Sequence, residues 1–131
     1  MDRTRTKHKL NPFIFILLTV VLLALYIFWG GSQAASGFRI TPVNMESMGD
    51  GVYGGKSELA PIKVEVEVTV SNHRIKDIRI IKHDNGLGFR AEKPVIQAIL
   101  EKQTNIVDSV TGATVSSKVI MDAVGNALTV Q

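Results

Sequence analysis

Cysteine is absent from the 131 residues, and histidine occurs three times. The missing thiols exclude disulfide staples, thiol nucleophiles, iron–sulfur clusters, Cys-based zinc sites and lipid attachment to cysteine. Three histidines are too few for a His-rich metal site. Net charge is also missing from most of the chain. Arg3, Arg5, Lys7 and Lys9 face only Asp2 among the first ten residues, so the formal +3 resides there. The remainder carries eleven basic and eleven acidic residues and is formally neutral. The pI near 9.3 therefore does not signal nucleic-acid binding. No internal repeat occurs, and the length allows one small domain.

Apolar residues are concentrated in one block. Residues 12–29 read PFIFILLTVVLLALYIFW, with Thr19 the one polar side chain. As a helix this run reaches about 27 Å, close to the roughly 30 Å of a bilayer core. It predicts an N-terminal transmembrane helix. The basic residues before it predict a cytoplasmic N-terminus and an extracytoplasmic body, by the positive-inside rule. Tyr26, Phe28 and Trp29 fit an aromatic belt at the outer interface. The rival reading is a cleaved signal peptide, with Ser32-Gln33-Ala34 as a small-x-small site. The run exceeds the usual 7–15 residue apolar region of such peptides, which favours a retained anchor. The expected organisation is a cytoplasmic basic tail at 1–11, an anchor at 12–29, a linker at 30–49 and a domain at 50–131. The linker opens with the small, polar GGSQAASG. Thr41-Pro42 suggests extended chain after it.

Residues 50–56 predict a short strand bounded by turn residues. In residues 62–70, Ile62, Val64, Val66, Val68 and Val70 alternate with Lys63, Glu65, Glu67 and Thr69. That period of two predicts a half-buried strand. Ser71-Asn72-His73 reads as a tight turn, and Ile75, Ile78, Ile80 and Ile81 complete an antiparallel hairpin. Asp84 to Gly88 reads as a loop. Val95, Ile96, Ile99 and Leu100 predict a helix over 92–103, with Pro94 in its first turn. Ile106-Val107 suggests a short strand. Val119, Ile120, Ala123, Val124 and Leu128 predict a core-facing helix over 115–128, weakened by Gly125. The fold class expected is α+β, a small antiparallel sheet with about two packed helices after the transmembrane helix.

The informative stretch is Asp108-Ser109-Val110-Thr111-Gly112-Ala113-Thr114-Val115-Ser116-Ser117. Five hydroxyl residues surround a tight turn just before a helix. Composition alone favours a loop with Thr114 or Ser116 as helix cap. However, Gly112 and Ala113 leave the backbone beside Thr114 uncovered, and the helix N-terminus offers free N–H groups suited to a phosphate. No histidine or lysine lies near in sequence to make Thr114 a nucleophile. Its hydroxyl makes more sense as the acceptor of a modification by another enzyme.

This stretch resembles the flavinylation motif of FMN-binding domains, Asp-x-x-Ser/Thr-Gly-Ala-Ser/Thr followed shortly by another Ser/Thr. Asp108, Thr111, Gly112, Ala113 and Thr114 match it. Asp50-Gly51-Val52-Tyr53-Gly54-Gly55 is similar to the opening of such domains. Residues 61–82 resemble their Val/Glu-rich hairpin, and Gly86-Leu87-Gly88 their glycine loop. The resemblance covers residues 50–131. Asn72-His73 stands where the family usually has glycine, a departure that Asn tolerates in turns. The resemblance implies FMN joined through its phosphate to the Thr114 hydroxyl by a flavin transferase, with FAD as donor and a divalent metal ion. It implies a cofactor site of Thr114, Ala113, Gly112, Thr111, Asp108, Ser109 and Ser117.

Other candidates are weaker. His83-Asp84 reads either as a neighbour of a redox site or, more simply, as a solvated loop pair. Tyr53 and Phe89 suit an isoalloxazine ring, although core packing is the simpler expectation for each. Met45 and Met48 read as gap-fillers. No residue reads as catalytic and no metal site is predicted. The leading expectation is a membrane-anchored extracytoplasmic electron carrier, in which FMN supplies the redox chemistry. Its expected partners are a membrane dehydrogenase or quinone-linked redox proteins. Two alternatives stay open: non-covalent FMN, and a flavin-free interaction module.

Overall fold

The computed structural model describes residues 12–84 and 88–129. The chain divides into two compact units, residues 1–37 and Phe38–Gln131. In the first, helix α1 spans Pro12–Ser36. The predicted tail at 1–11 lies outside the described residues.

The transmembrane reading of this segment is corrected. Among the described residues no helix is long and apolar enough to cross a membrane. The 25 residues of α1 run past the apolar block into small and polar positions, so the helix is not apolar along its whole length. The helix also continues through 30–36, where small polar residues suggested a flexible linker.

In the second unit, β1 (Gly51–Leu59), β2 (Ile62–Ser71) and β3 (Arg74–Asp84) form an antiparallel meander in the order β1-β2-β3. The α+β reading of this domain stands. The alternation in β2 does what its period requires. Ile62, Val64, Val66, Val68 and Val70 are all buried on one face. Each such side chain contributes about 1.5–3 kcal/mol on burial. The other face carries cross-strand ion pairs, Lys56–Glu65 at 3.2 Å and Arg79–Glu67. The β2–β3 turn places Asn72 at φ 51° and His73 at φ 56°. Two left-handed residues in a two-residue loop match the type I′ turn that the sheet twist favours. Asp50 fastens it by accepting from Asn72 N at 2.7 Å.

Helices α2 (Phe89–Lys102) and α3 (Thr114–Thr129) complete the core. From α2 come Ala91, Val95 and Ile99; from α3 come Val119, Ile120, Ala123, Val124, Ala127 and Leu128. The backbone of α3 meets β1 at Gly55, where a Cβ would collide with Ala123 O and stand 2.5 Å from Ala127 N. Two amides tie the loops down. Gln103, left-handed at φ 53°, holds Ile75 by both backbone groups, at 2.8 and 3.0 Å. Asn105, fully buried, accepts from Val43 N at 3.1 Å and donates to Thr41 O at 2.9 Å.

These ties explain further differences from the sequence reading. The compact unit begins at Phe38, because Ile40, Val43, Met45 and buried Met48 pack on the core ahead of residue 50. Residues 106–107 form no strand, and Phe89 starts α2 earlier than expected, with Pro94 inside the helix. Phe89 is exposed and does not pack in the core, whereas Tyr53 does pack there and donates to Gly49 O at 2.9 Å.

Candidate functional site

The turn before α3 is held by backbone geometry. Ala113 N donates to Val110 O at 2.9 Å, closing a four-residue turn with Gly112 in its third position. Gly112 has φ +79°, as a type II turn requires there. A Cβ on Gly112 would meet nothing within 4 Å. Conformation, not space, therefore calls for glycine.

Ser117 braces this turn from within. Fully buried, its Oγ accepts from Val110 N at 3.0 Å and donates to Ala113 O at 2.9 Å. Ala113 O also accepts from Ser117 N at 2.9 Å, the first bond of α3. Thr114 opens the helix and is exposed. Ala113, in the capping position, has no side-chain acceptor, so the N–H groups there are left for another partner.

Thr111, Gly112, Ala113, Thr114 and Ser117 thus come together in one turn and the first helical turn after it. Thr111 and Thr114 are exposed, whereas Ser117 is interior. Asp108 and Ser109 stand upstream and exposed. The Asp108 carboxylate pairs with Lys102 at 3.2 Å and points to solvent.

A second group of residues, invisible as a group in the sequence, adjoins this turn. A Cβ built on Gly88 would collide with Ser116 Oγ and stand 2.7 Å from His83 Nε2. Gly88 is the N-cap of α2 and makes no side-chain cap. The close approach of β3, α2 and the first turn of α3 is what requires glycine there. The His83 side chain is 5% exposed, and its Nδ1 lies 2.6 Å from Glu92 Oε1. Its Nε2 is buried without a hydrogen-bond partner. On either side of it, Lys82 and Asp84 pair with each other at 3.0 Å. The hydrogen bond to Asp84, and then its charge, raise the Lys82 ammonium above its ordinary range. His83 was legible as a candidate from its type. Ser116, Gly88 and Glu92 carry no sequence signal for the role, because only the fold joins them.

A cleft of about 360 Å³ lined by Pro42, Val43, Met48 and Leu128 lies at the opposite end of α3 from Thr114. Among the described residues no group of acidic, His or Cys side chains is placed to hold a metal ion.

The fold and site define a small one-sheet α+β domain that presents a hydroxyl at an open helix N-terminus. A family model described as an FMN-binding domain matches residues 59–129. The chain belongs to the FMN-binding domain family. Over 65 residues it is 40% identical to a protein of Vibrio harveyi named NADH:acrylate oxidoreductase. That match covers 48% of this chain and 6% of the relative, so the chain corresponds to a small part of it. The residues present fit an FMN phosphate: an exposed hydroxyl at a helix N-terminus without a side-chain cap, and an orphaned imidazole nitrogen beside Gly88, which approaches Ser116 of the same helix.

Proposed function

We propose that this chain is an electron carrier whose FMN is linked through its phosphate to Thr114 Oγ1. The observation that carries this reading is the placement of Thr114. It stands exposed at the open N-terminus of α3, on a turn set by Gly112 and braced by Ser117. An anion there meets free N–H groups and the positive end of the helix dipole. The bound flavin supplies the electron transfer, and the domain supplies attachment and surroundings.

The attachment itself falls to a flavin transferase. The Thr114 oxygen bonds to the FMN-side phosphorus of FAD. The pyrophosphate bond breaks, AMP departs, and the hydroxyl proton passes to a base of the transferase. The relative's name pairs NADH with acrylate. Only an electron-transfer role is carried over from it to this chain.

The test is intact mass and denaturing-gel fluorescence on the full chain, produced with an active flavin transferase. The expected result is a fluorescent band and a gain of one FMN less one water, both lost in Thr114→Ala. Yellow colour that leaves on denaturation overturns the covalent link. An unmodified, colourless chain overturns the carrier reading itself.

A further inference from the structure

We propose that His83, set where the uncapped N-termini of α2 and α3 meet, donates a hydrogen bond from Nε2 to the phosphate of the Thr114-linked FMN. The inference rests on the covalent reading above and names the protein groups that would hold its anion. Three observations converge. Gly88 at the α2 N-terminus packs against Ser116 in the first turn of α3. Neither Gly88 nor Ala113 has a side chain able to cap its helix. Next to Gly88, where Ser116 Oγ also approaches, lies the Nε2 of His83, buried and without a partner.

The chemistry of the ring follows from Glu92. An ionised carboxylate only accepts, so the 2.6 Å contact assigns a proton to Nδ1. Nε2 is then the nitrogen that gains or loses the second proton. A phosphate satisfies the orphan nitrogen and both sets of N–H groups at once. The other charged groups near the ring leave room for this role. Glu92 of α2 holds Nδ1, Lys82 and Asp84 of β3 hold each other, and α3 presents the neutral Ser116.

The test is NMR on the full chain in its flavinylated form and as Thr114→Val, which lacks the attachment point. Intact mass establishes loading first, so failure of the covalent reading is seen separately. On the loaded chain, the His83 Nε2 titration midpoint is expected to rise by about one pH unit or more. The phosphodiester ³¹P resonance is expected to move with the same midpoint, and to lose that step in His83→Gln. Should His83→Gln fail to load, the wild-type spectra decide alone. An unshifted His83 midpoint, or a flat ³¹P resonance, overturns the proposal while leaving the covalent link intact. If mass shows no FMN, the unloaded chain is titrated with inorganic phosphate. Saturable movement of the His83 Nε2 resonance then supports the anion site, and no movement overturns it.

Discussion

The Ser117 hydroxyl lies 3.0 Å from the backbone nitrogen of Val110, inside the turn that precedes its own helix. Through this contact a residue of α3 dictates the shape of the loop that presents Thr114. The same oxygen donates to Ala113 O at 2.9 Å, so one side chain satisfies both ends of the turn. Ser117 is therefore a buried brace for the loop that carries Thr114.

Ser117→Ala should cost about 1–3 kcal/mol, since it leaves the Val110 N–H without its partner in a part-buried setting. Urea denaturation reads that loss directly. Flavin loading by the transferase should slow, because Thr114 would be presented by a looser turn. Unchanged stability with normal loading would show that the brace is dispensable.

Gly112→Ala tests the turn from another direction. At φ +79° an added Cβ costs about 1–2 kcal/mol of backbone strain. It meets no neighbour within 4 Å, so no steric penalty adds to it. The variant should fold, with its unfolding free energy lowered by that amount and m unchanged. A loss well beyond it would reveal a contact that the open space around Gly112 does not suggest.

Much of this architecture is readable in the residues, for physical reasons. The alternation from Ile62 to Val70 determines both the strand and its buried face, since a strand has a period of two. The apolar spacing from Val119 to Leu128 likewise defines the buried face of α3. The motif around Thr114 was legible because its residues are contiguous. What was not legible depends on remote partners. His83, Gly88, Glu92 and Ser116 are spread over three elements, and only packing makes them neighbours. The hold of Asn105 on Thr41 and Val43 spans more than sixty positions. The apolar segment shows the opposite limit. Hydropathy described its composition, yet among the described residues no helix is long and apolar enough to cross a membrane.

Gly55→Ala should be far more damaging than Gly112→Ala. Gly55 is buried where β1 passes under α3, and the added methyl collides with the Ala123 carbonyl and with Ala127 N at 2.5 Å. Both obstacles are helix backbone and cannot rotate away. The helix must lift from the sheet, which opens the core around Ala123 and Ala127. A loss of about 3 kcal/mol or more is expected, at the upper end for overpacked cores. Circular dichroism melts of the two glycine variants side by side would check the ranking. Equal melts would mean that α3 slides over β1 without penalty.

Asn105→Leu removes a polar clamp while keeping most of the volume. Two groups lose their partner, Val43 N and Thr41 O, while Met121 O, 3.4 Å from the Asn105 amide, keeps its place in the helix. Leaving such groups unmatched costs about 1–3 kcal/mol each when they are fully buried. Thr41 is exposed and Val43 half-buried, so water offsets part of that cost. The net loss expected is about 2–3 kcal/mol. Its distribution is the sharper test. Segment 38–48 should become the first site of limited proteolysis, since Asn105 is its polar tie to the core. The turn at Val110 to Ala113 does not share these bonds, so loading at Thr114 should stay near the wild-type rate. Early cleavage at the Val110–Ala113 turn, with segment 38–48 still protected, would mean that Asn105 supports the Thr114 turn and not the N-terminal segment.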